Sequence, residues 1–199
     1  MSPPQNKGRN TAVEPIRSEK AIKAISRMLK SEYCKRNYLL FTLGINTGLR
    51  VVDLLKITLD EVRGLSKGQT FTIKESKTKK QNTITINGPI ERALNLYLPQ
   101  RENDPSTYPL FQNNMEPGKP ICTNTVQKFM KKWTESAGLK GRYGAHTLRK
   151  TFGYHQRIKY GTGFELLCKR FNHSSPRITM CYLGIQDSEV HEILLNSIG

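Results

Sequence analysis

The rest of the chain is organised around residues 146–182, which read HTLRKTFGYHQRIKYGTGFELLCKRFNHSSPRITMCY. Residues three apart share one face of a helix, so His146 and Arg149 are predicted to project to the same side. A guanidinium grips two phosphate oxygens as a planar fork, and an imidazole moves a proton near neutral pH. His173 follows, then Tyr182, whose hydroxyl is a candidate nucleophile toward phosphorus. The stretch predicts phosphoryl transfer through a tyrosine, with a second cation and a proton donor supplied from elsewhere in the chain.

The chain is strongly basic, with 32 Lys and Arg against 16 Asp and Glu among 199 residues and a net charge of +16. Such a balance predicts a polyanionic partner, although it also suits a generally basic, ribosome-like protein. Residues 117–160 hold ten of the cations and one acid, whereas the chain after Tyr182 holds three acids and no Lys or Arg. We therefore expect a basic surface before Tyr182. An acidic amphipathic helix is expected from Ser188, packed on its own domain or on a neighbouring subunit.

The composition gives no sign of a membrane or metal protein. No apolar run approaches the roughly 20 residues that span a bilayer, and no apolar segment of signal-peptide type follows the first residues. The four cysteines form no C-x-x-C pair and no cluster with zinc spacing. We expect reduced packing cysteines in a cytoplasmic protein, and neither a metal nor a small-molecule cofactor.

The pattern of apolar residues predicts a mainly helical, α+β domain with one small antiparallel hairpin on an edge. Apolar residues alternate with polar ones only in Thr70–Lys74 and Thr83–Ile86, and a lysine-rich loop lies between these two strands. Residues 1–15 have no periodicity and are predicted to form a flexible arm, while residues 99–120 are predicted to be irregular. The predicted helix boundaries are a cap at Ser18, an end at Gly48, a helix from Val51 to Ile57, Pro89 in a first turn, and a cap at Thr123 or Asn124.

Arg50 follows the turn at Gly48 and precedes a predicted helix, so it is a candidate anion ligand, although this short stretch taken alone favours an ordinary surface arginine. Asp53 lies three residues on, and is predicted to pair with Arg50 or another site cation.

Taken in order, Arg50, Lys77, His146, Arg149, His173 and Tyr182 resemble the catalytic domain of tyrosine recombinases, most closely the integrases of phages and conjugative transposons. The resemblance covers nearly the whole chain from about Glu14. One departure is Phe171-Asn172, where Leu-Gly is usual before the histidine. The matching segments are Thr47-Gly48-Leu49-Arg50 with Asp53, Ser76-Lys77-Thr78, His146–Phe152, Asn172–Ser175 with Thr179, and Tyr182-Leu183-Gly184.

The resemblance implies that Tyr182 attacks a DNA phosphodiester, forms a 3′-phosphotyrosyl link and releases a 5′-hydroxyl. Arg50 and Arg149 would grip the non-bridging oxygens, with Asp53 behind them. Lys77 would protonate the leaving oxygen, His146 would assist proton transfer from Tyr182, and His173 would hydrogen-bond a non-bridging oxygen. Among the alternatives by residue type, Lys79 or Lys80 would replace Lys77 as the acid, and Tyr143, Tyr154 or Tyr160 would replace Tyr182.

The resemblance also sets expectations for partners and domains. We expect residues 16–199 to form the catalytic domain without the N-terminal core-binding domain that is usual in the family, either as a fragment or as a short member. The expected partner is double-stranded DNA in the bacterial cytoplasm or nucleoid, with tetramer assembly on DNA through the C-terminal tail. Two alternatives have the same fold: a catalytically silent DNA-binding regulator, and a type IB topoisomerase-like nicking–closing enzyme. The side chains predicted to contact DNA are Lys79, Lys80, Lys140, Arg142 and Lys150.

Overall fold

The computed structural model describes residues 13–184, and it confirms a mainly helical domain with a small antiparallel hairpin. No helix among these residues is long and apolar enough to cross a membrane. The predicted helix from Ser188 and most of the predicted N-terminal arm lie outside the described residues. The elements are α1 (Glu19–Ser31), α2 (Arg36–Thr47), α3 (Val51–Leu54), β1 (Thr70–Lys74), β2 (Gln81–Thr85), α4 (Gly88–Tyr97), β3 (Gln112–Asn113), β4 (Glu116–Pro120), α5 (Thr123–Ser136), α6 (Ala145–Tyr160), α7 (Phe164–Phe171) and α8 (Pro176–Leu183), with a 3-10 helix at Leu98–Arg101.

Helix α2 is the centre of the core and packs against α1, α4 and α6. Its residues are apolar on nearly every side, and Leu39, Leu40, Phe41 and Leu43 are fully buried. The Phe41 ring meets the edge of Trp133 from α5, with the ring centroids 6.0 Å apart. An all-round apolar helix has no solvent face, so α2 is enclosed by the amphipathic helices around it.

The end of α2 places Arg50. Gly48 adopts φ 65° as the C-cap, and a Cβ at this position would overlap the Phe152 ring of α6. Only glycine fits this combination of left-handed backbone and close approach. Arg50 then becomes the N-cap residue of α3.

Helix α3 is a single turn, so the predicted helix reaching Ile57 is wrong. The backbone after Leu55 is drawn into pairing with residues 108–110. Leu110 N–H donates to the Ile57 carbonyl at 2.7 Å, and Leu59 N–H donates to the Tyr108 carbonyl at 3.0 Å. These long-range hydrogen bonds replace helical ones, which periodicity alone does not reveal.

Strands β1 and β2 form the predicted hairpin, with Thr70 opposite Thr85 and Lys74 opposite Gln81. β2 begins at Gln81, two residues earlier than predicted, because Asn82 occupies a buried position of the strand. The turn between the strands is therefore residues 75–80, and it carries Lys77.

The stretch from residue 99 to residue 120 is more ordered than predicted. It contains the 3-10 helix and a second antiparallel pair, β3 with β4. Arg101 is 7% exposed and organises this region by donating to the Tyr97 hydroxyl, the Leu110 carbonyl and the Gln112 side chain. The N-cap residue of α5 is Cys122 rather than Thr123 or Asn124.

Candidate active site

Helix α6 holds His146 and Arg149 and is fixed at both ends. Thr147 closes the N-terminus, since its hydroxyl accepts from Gly144 N–H at 3.0 Å and its own N–H donates back to the Gly144 carbonyl. Further along, a Cβ at Gly153 would lie 2.6 Å from Leu183 and 2.7 Å from Phe171. The missing side chain lets α7 and α8 pack tightly on α6, which brings Arg149 close to both.

Arg50 and Arg149 converge on one backbone oxygen. Nη2 of Arg149 donates to the Phe171 carbonyl at 2.7 Å, and Nη2 of Arg50 donates to the same oxygen at 3.3 Å. Nη1 of Arg149 donates to the Gly48 carbonyl at 2.6 Å, and its guanidinium carbon lies 4.4 Å from the centre of the Phe171 ring. The two guanidiniums therefore point at one position, and backbone carbonyls orient both forks. Their binding of an anion there stays a prediction.

Burial sets the electrostatics of Arg149. The residue is 2% exposed, and desolvation together with the charge of Arg50 lowers its pKa to about 10. The guanidinium is therefore still protonated at neutral pH. A buried cation this close to a second, partly buried one requires compensating anions.

Glu75 is one of the two compensating anions, and the sequence prediction missed it. Its carboxylate is buried and accepts from Arg50 Nη1 at 2.9 Å, Thr78 Oγ1 at 2.6 Å and Asn82 Nδ2 at 2.7 Å. These donors outweigh the desolvation that opposes them and lower the pKa of Glu75 to about 2. The only sequence signal is a single acid beside Ser76-Lys77-Thr78 in a lysine-rich run.

Asp53 is the second anion, and it lies beside Arg50 on α3. Oδ2 lies 3.9 Å from Arg50 Nη1 and has no hydrogen-bond partner among the described residues. Oδ1 accepts from the Ser76 backbone N–H at 2.7 Å. Asp53 thus contacts the hairpin turn directly and Arg50 only by charge.

His173 lies in the turn between α7 and α8. Asn172 before it adopts φ 51°, a left-handed conformation that asparagine tolerates better than most residues. This explains how asparagine replaces the usual glycine there. Nδ1 of His173 lies 3.0 Å from Thr179 Oγ1, which fixes the plane of the ring. Burial, followed by the charges of Arg149, Arg50 and Lys77, lowers the pKa of His173 to about 4.

Tyr182 on α8 points into this cationic site. Its ring packs on His173 at 5.2 Å and Phe171 at 5.7 Å between centroids, and the Lys150 Nζ lies 5.0 Å from its centre. The hydroxyl oxygen is buried, and no group among residues 13–184 meets it at full hydrogen-bond geometry, although the Arg149 guanidinium lies close enough to act on its pKa as a donor. Burial raises the pKa of Tyr182, whereas the charges of Arg149 and Arg50 act in the opposite direction.

The structure therefore brings together four of the six predicted catalytic residues, Arg50, Arg149, His173 and Tyr182. His146 lies on the same helix with part of its surface open to solvent; partial desolvation together with the charge of Arg149 lowers its pKa. Lys77 is exposed in the hairpin turn. Their catalytic roles stay predictions, as do those of the rival lysines, Lys79 and Lys80.

The rival tyrosines lie elsewhere. Tyr143 approaches the Lys140 carbonyl, Tyr154 packs on His155, and Tyr160 is 66% exposed. Of the predicted DNA contacts, Lys79, Lys80, Lys140 and Arg142 are exposed. Lys150 is 7% exposed, because the position after Arg149 on α6 faces the Tyr182 ring instead of the open surface. Its contact with DNA stays a prediction.

A pH dependence of stability follows from His173. The unfolded chain takes up a proton near pH 6.5, whereas the folded chain does so only near pH 4. Between these values the unfolded state binds more protons, so the free energy of unfolding falls as the pH drops through this window. His173→Gln is expected to reduce that loss, measured by urea unfolding at pH 7, 5.5 and 4.5. An equal loss of unfolding free energy with falling pH in the two proteins would contradict this role of His173.

Comparison with known proteins gives concordant matches. The Phage integrase family model matches residues 15–189. A probable integrase/recombinase, YoeC of Bacillus subtilis, is 34% identical over 88% of this chain and 91% of its own length. The tyrosine recombinase XerC of Caldanaerobacter subterraneus is 32% identical over 85% of this chain, which spans about half (47%) of that protein. A crystal structure of the XerH site-specific recombinase bound to palindromic difH substrate superimposes with TM-score 0.73 and 21% identity, over 96% of this chain and 55% of that one.

Proposed function

The chain belongs to the phage integrase family, and on that premise we propose that it is a tyrosine-type site-specific DNA recombinase that cleaves and rejoins DNA through a 3′-phosphotyrosyl intermediate. One observation supports this most directly. The buried hydroxyl of Tyr182 lies beside the Arg149 guanidinium and in the electrostatic field of two guanidiniums that converge on one oxygen atom. A nucleophile beside a preorganised anion site is the arrangement that phosphoryl transfer requires.

In the proposed reaction the Tyr182 oxygen forms a bond to phosphorus and the bond to the 5′-oxygen breaks. The phenolic proton leaves Tyr182, and the 5′-oxygen gains a proton to become a hydroxyl. Arg50 and Arg149 hold the non-bridging oxygens, while the Phe171 carbonyl, which accepts from both, orients the two guanidiniums. Attack by the released 5′-hydroxyl of another strand reverses the step and conserves the bond energy, so no ATP is consumed.

The remaining residues have proposed roles in proton transfer. Lys77, exposed on the hairpin turn, protonates the leaving oxygen, and His146 assists the departure of the Tyr182 proton. His173 is neutral at pH 7 because its pKa is about 4. It is therefore proposed to bind a non-bridging oxygen as a neutral donor through Nε2, with Nδ1 held by Thr179.

A covalent capture experiment tests the function without knowledge of the target site. The protein is incubated with a library of duplexes that carry a randomised core and a nick, so that cleavage releases a short fragment and traps the adduct. Adducts are separated on a denaturing gel and sequenced. We expect enrichment of related sequences joined to the protein through a 3′-phosphate. Absence of any adduct would contradict a recombinase and a nicking–closing enzyme alike, and would leave the silent regulator.

Double-stranded DNA is the proposed partner, in the bacterial cytoplasm or nucleoid, through exposed cations that include Lys79, Lys80 and Lys140. Each neutralised phosphate releases about 0.9 counterion, so the logarithm of the affinity should fall linearly with the logarithm of salt concentration. Replacing Lys79 or Lys140 by alanine should reduce that slope by about one. Lys30→Ala on the exposed side of α1 is the charge-matched control. Fluorescence anisotropy measures the DNA affinity of the three variants as a function of salt concentration. A salt-independent affinity would argue against backbone contacts.

We further propose that the C-terminal tail assembles a tetramer on DNA. Its acids and apolar residues predict a helix that docks on a neighbouring subunit, and Tyr182 precedes it by only six residues. Deleting residues 188–199 should reduce synapsis of two sites and recombination at least tenfold, with single-site binding nearly unchanged. Native gels with one and two sites measure this. A full-length variant with Asp187→Asn, Glu189→Gln and Glu192→Gln removes the acidic charges and keeps the apolar face. It therefore shows whether charge or apolar contact contributes to docking. Unchanged recombination by the truncated protein would contradict the proposal.

A further inference from the structure

The residues on either side of Lys77 are each held by a buried carboxylate. The Ser76 backbone N–H donates to Asp53 Oδ1 at 2.7 Å, and the Thr78 hydroxyl donates to Glu75 Oε2 at 2.6 Å. Asp53 and Glu75 are each 1% exposed. A hydrogen bond to a buried ionised group is stronger than one between neutral groups, so both ends of this short segment are firmly fixed.

The same two carboxylates face Arg50. The Glu75 oxygen that accepts from Thr78 also accepts from Arg50 Nη1 at 2.9 Å, and Asp53 Oδ2 lies 3.9 Å from that nitrogen. The turn that carries Lys77 and the guanidinium of Arg50 therefore share their anchors. A shift of either carboxylate would displace both cations together.

Glu75 is itself fixed by further hydrogen bonds. Glu75 Oε1 accepts from Asn82 at 2.7 Å, and the Asn82 side-chain oxygen accepts from Arg170 Nη1 at 2.6 Å. Nη2 and Nε of Arg170 donate to the Thr47 carbonyl at the end of α2. The base of the hairpin is thus tied to α7, next to the Phe171 carbonyl that both active-site arginines contact.

We propose that Asp53, Glu75 and Thr78 are positioning residues that hold the general acid Lys77 in a fixed register with the Arg50 phosphate clamp. The proposal rests on the proposed function. Lys77 itself is exposed, and a lysine side chain has many rotamers, so the backbone beneath it must be fixed for its ammonium to meet the leaving oxygen. Tying that backbone to the carboxylates that neutralise Arg50 places the acid and the clamp on the same phosphate.

Thr78→Val tests this role, because valine keeps the shape of threonine and removes only the hydroxyl, which donates to Glu75 at 2.6 Å and accepts weakly from the Lys80 backbone N–H at 3.3 Å. Thr72→Val is the matched control: it makes the same change in the same hairpin, where the Thr72 hydroxyl meets only Thr83 Oγ1 on the exposed face. Thr78→Ser restores a hydroxyl. Thermal unfolding and DNA anisotropy of each protein report on fold and binding.

The readout is the rate of covalent adduct formation on the best duplex from the capture experiment, made in two versions. One carries the ordinary 5′-oxygen at the scissile phosphate, and the other carries sulfur there. A thiol is a much stronger acid than an alcohol, so the sulfur leaving group departs without a proton from Lys77. A defect in delivering the acid is rescued by sulfur, whereas a defect in the clamp or the fold is not.

We expect Thr78→Val to slow cleavage of the oxygen substrate by about tenfold, as for loss of one charge-assisted hydrogen bond, and to cleave the sulfur substrate at the wild-type rate. Thr72→Val and Thr78→Ser should match wild type on both, and Lys77→Ala should show the same rescue more strongly. Equal slowing on both substrates, or no slowing on either, would overturn the positioning role. Lack of any adduct with the wild-type protein would overturn the proposed function, and this proposal with it.

Discussion

Replacing Tyr182 by phenylalanine is expected to abolish the covalent protein–DNA adduct while the protein stays folded and binds DNA. Only the attacking oxygen is removed, and loss of a nucleophile typically costs on the order of 10⁴-fold or more in rate. Adducts are measured on a denaturing gel with the captured duplex. Tyr143→Phe, Tyr154→Phe and Tyr160→Phe are matched controls that should keep full activity. An adduct formed by the Tyr182 variant would show that another residue attacks.

The same substitution, which is expected to abolish activity, is not expected to reduce stability. The Tyr182 hydroxyl is buried, and its neighbour Arg149 does not meet it at full hydrogen-bond geometry; a buried group left unpaired costs about 1–3 kcal/mol. Tyr182→Phe is therefore expected to keep or raise the free energy of unfolding in the absence of DNA, measured by urea denaturation. A large loss of stability would mean that the hydroxyl is paired in solution.

The sequence predicts the positions of groups whose chemistry depends on residue type. The proposed reaction requires a bidentate fork, which Arg149 supplies, and a hydroxyl, which Tyr182 supplies, so both residues stand out by type, order and spacing. The structure places them close to Arg50 and His173.

Groups that act through the backbone or through burial cannot be identified from residue type and spacing. The Phe171 carbonyl orients both arginines, yet every residue has a carbonyl, and only the turn at Asn172 aims this one. Glu75 is a single acid in a lysine-rich run, and nothing local indicates that its carboxylate is buried against Arg50. Local pattern predicts α2 and the hairpin well, whereas α3 ends early because of hydrogen bonds to residues about fifty positions away.

Replacing Arg149 by lysine is expected to slow cleavage by about 10²–10³-fold, the usual cost of losing one preorganised donor to a developing anion. Lysine keeps the charge but lacks the fork. One ammonium cannot reproduce the paired hydrogen bonds to Gly48 and Phe171 while also meeting a phosphate oxygen. Single-turnover adduct formation measures the rate, and anisotropy should show DNA affinity changed far less.

Arg36→Lys is the control that separates chemistry from stability in this experiment. Arg36 is also a buried arginine, 8% exposed, and its Nη1 donates to the Gln112 carbonyl at 2.8 Å and to the Asn114 side chain, outside the active site. Both lysine variants leave carbonyls unpaired and should lose about 1–3 kcal/mol of unfolding free energy. Only Arg149→Lys should slow cleavage, because only that guanidinium lies against Tyr182. Equal slowing in the two variants would mean that the Arg149 effect is one of stability, and the clamp would have to be assigned to Arg50 alone.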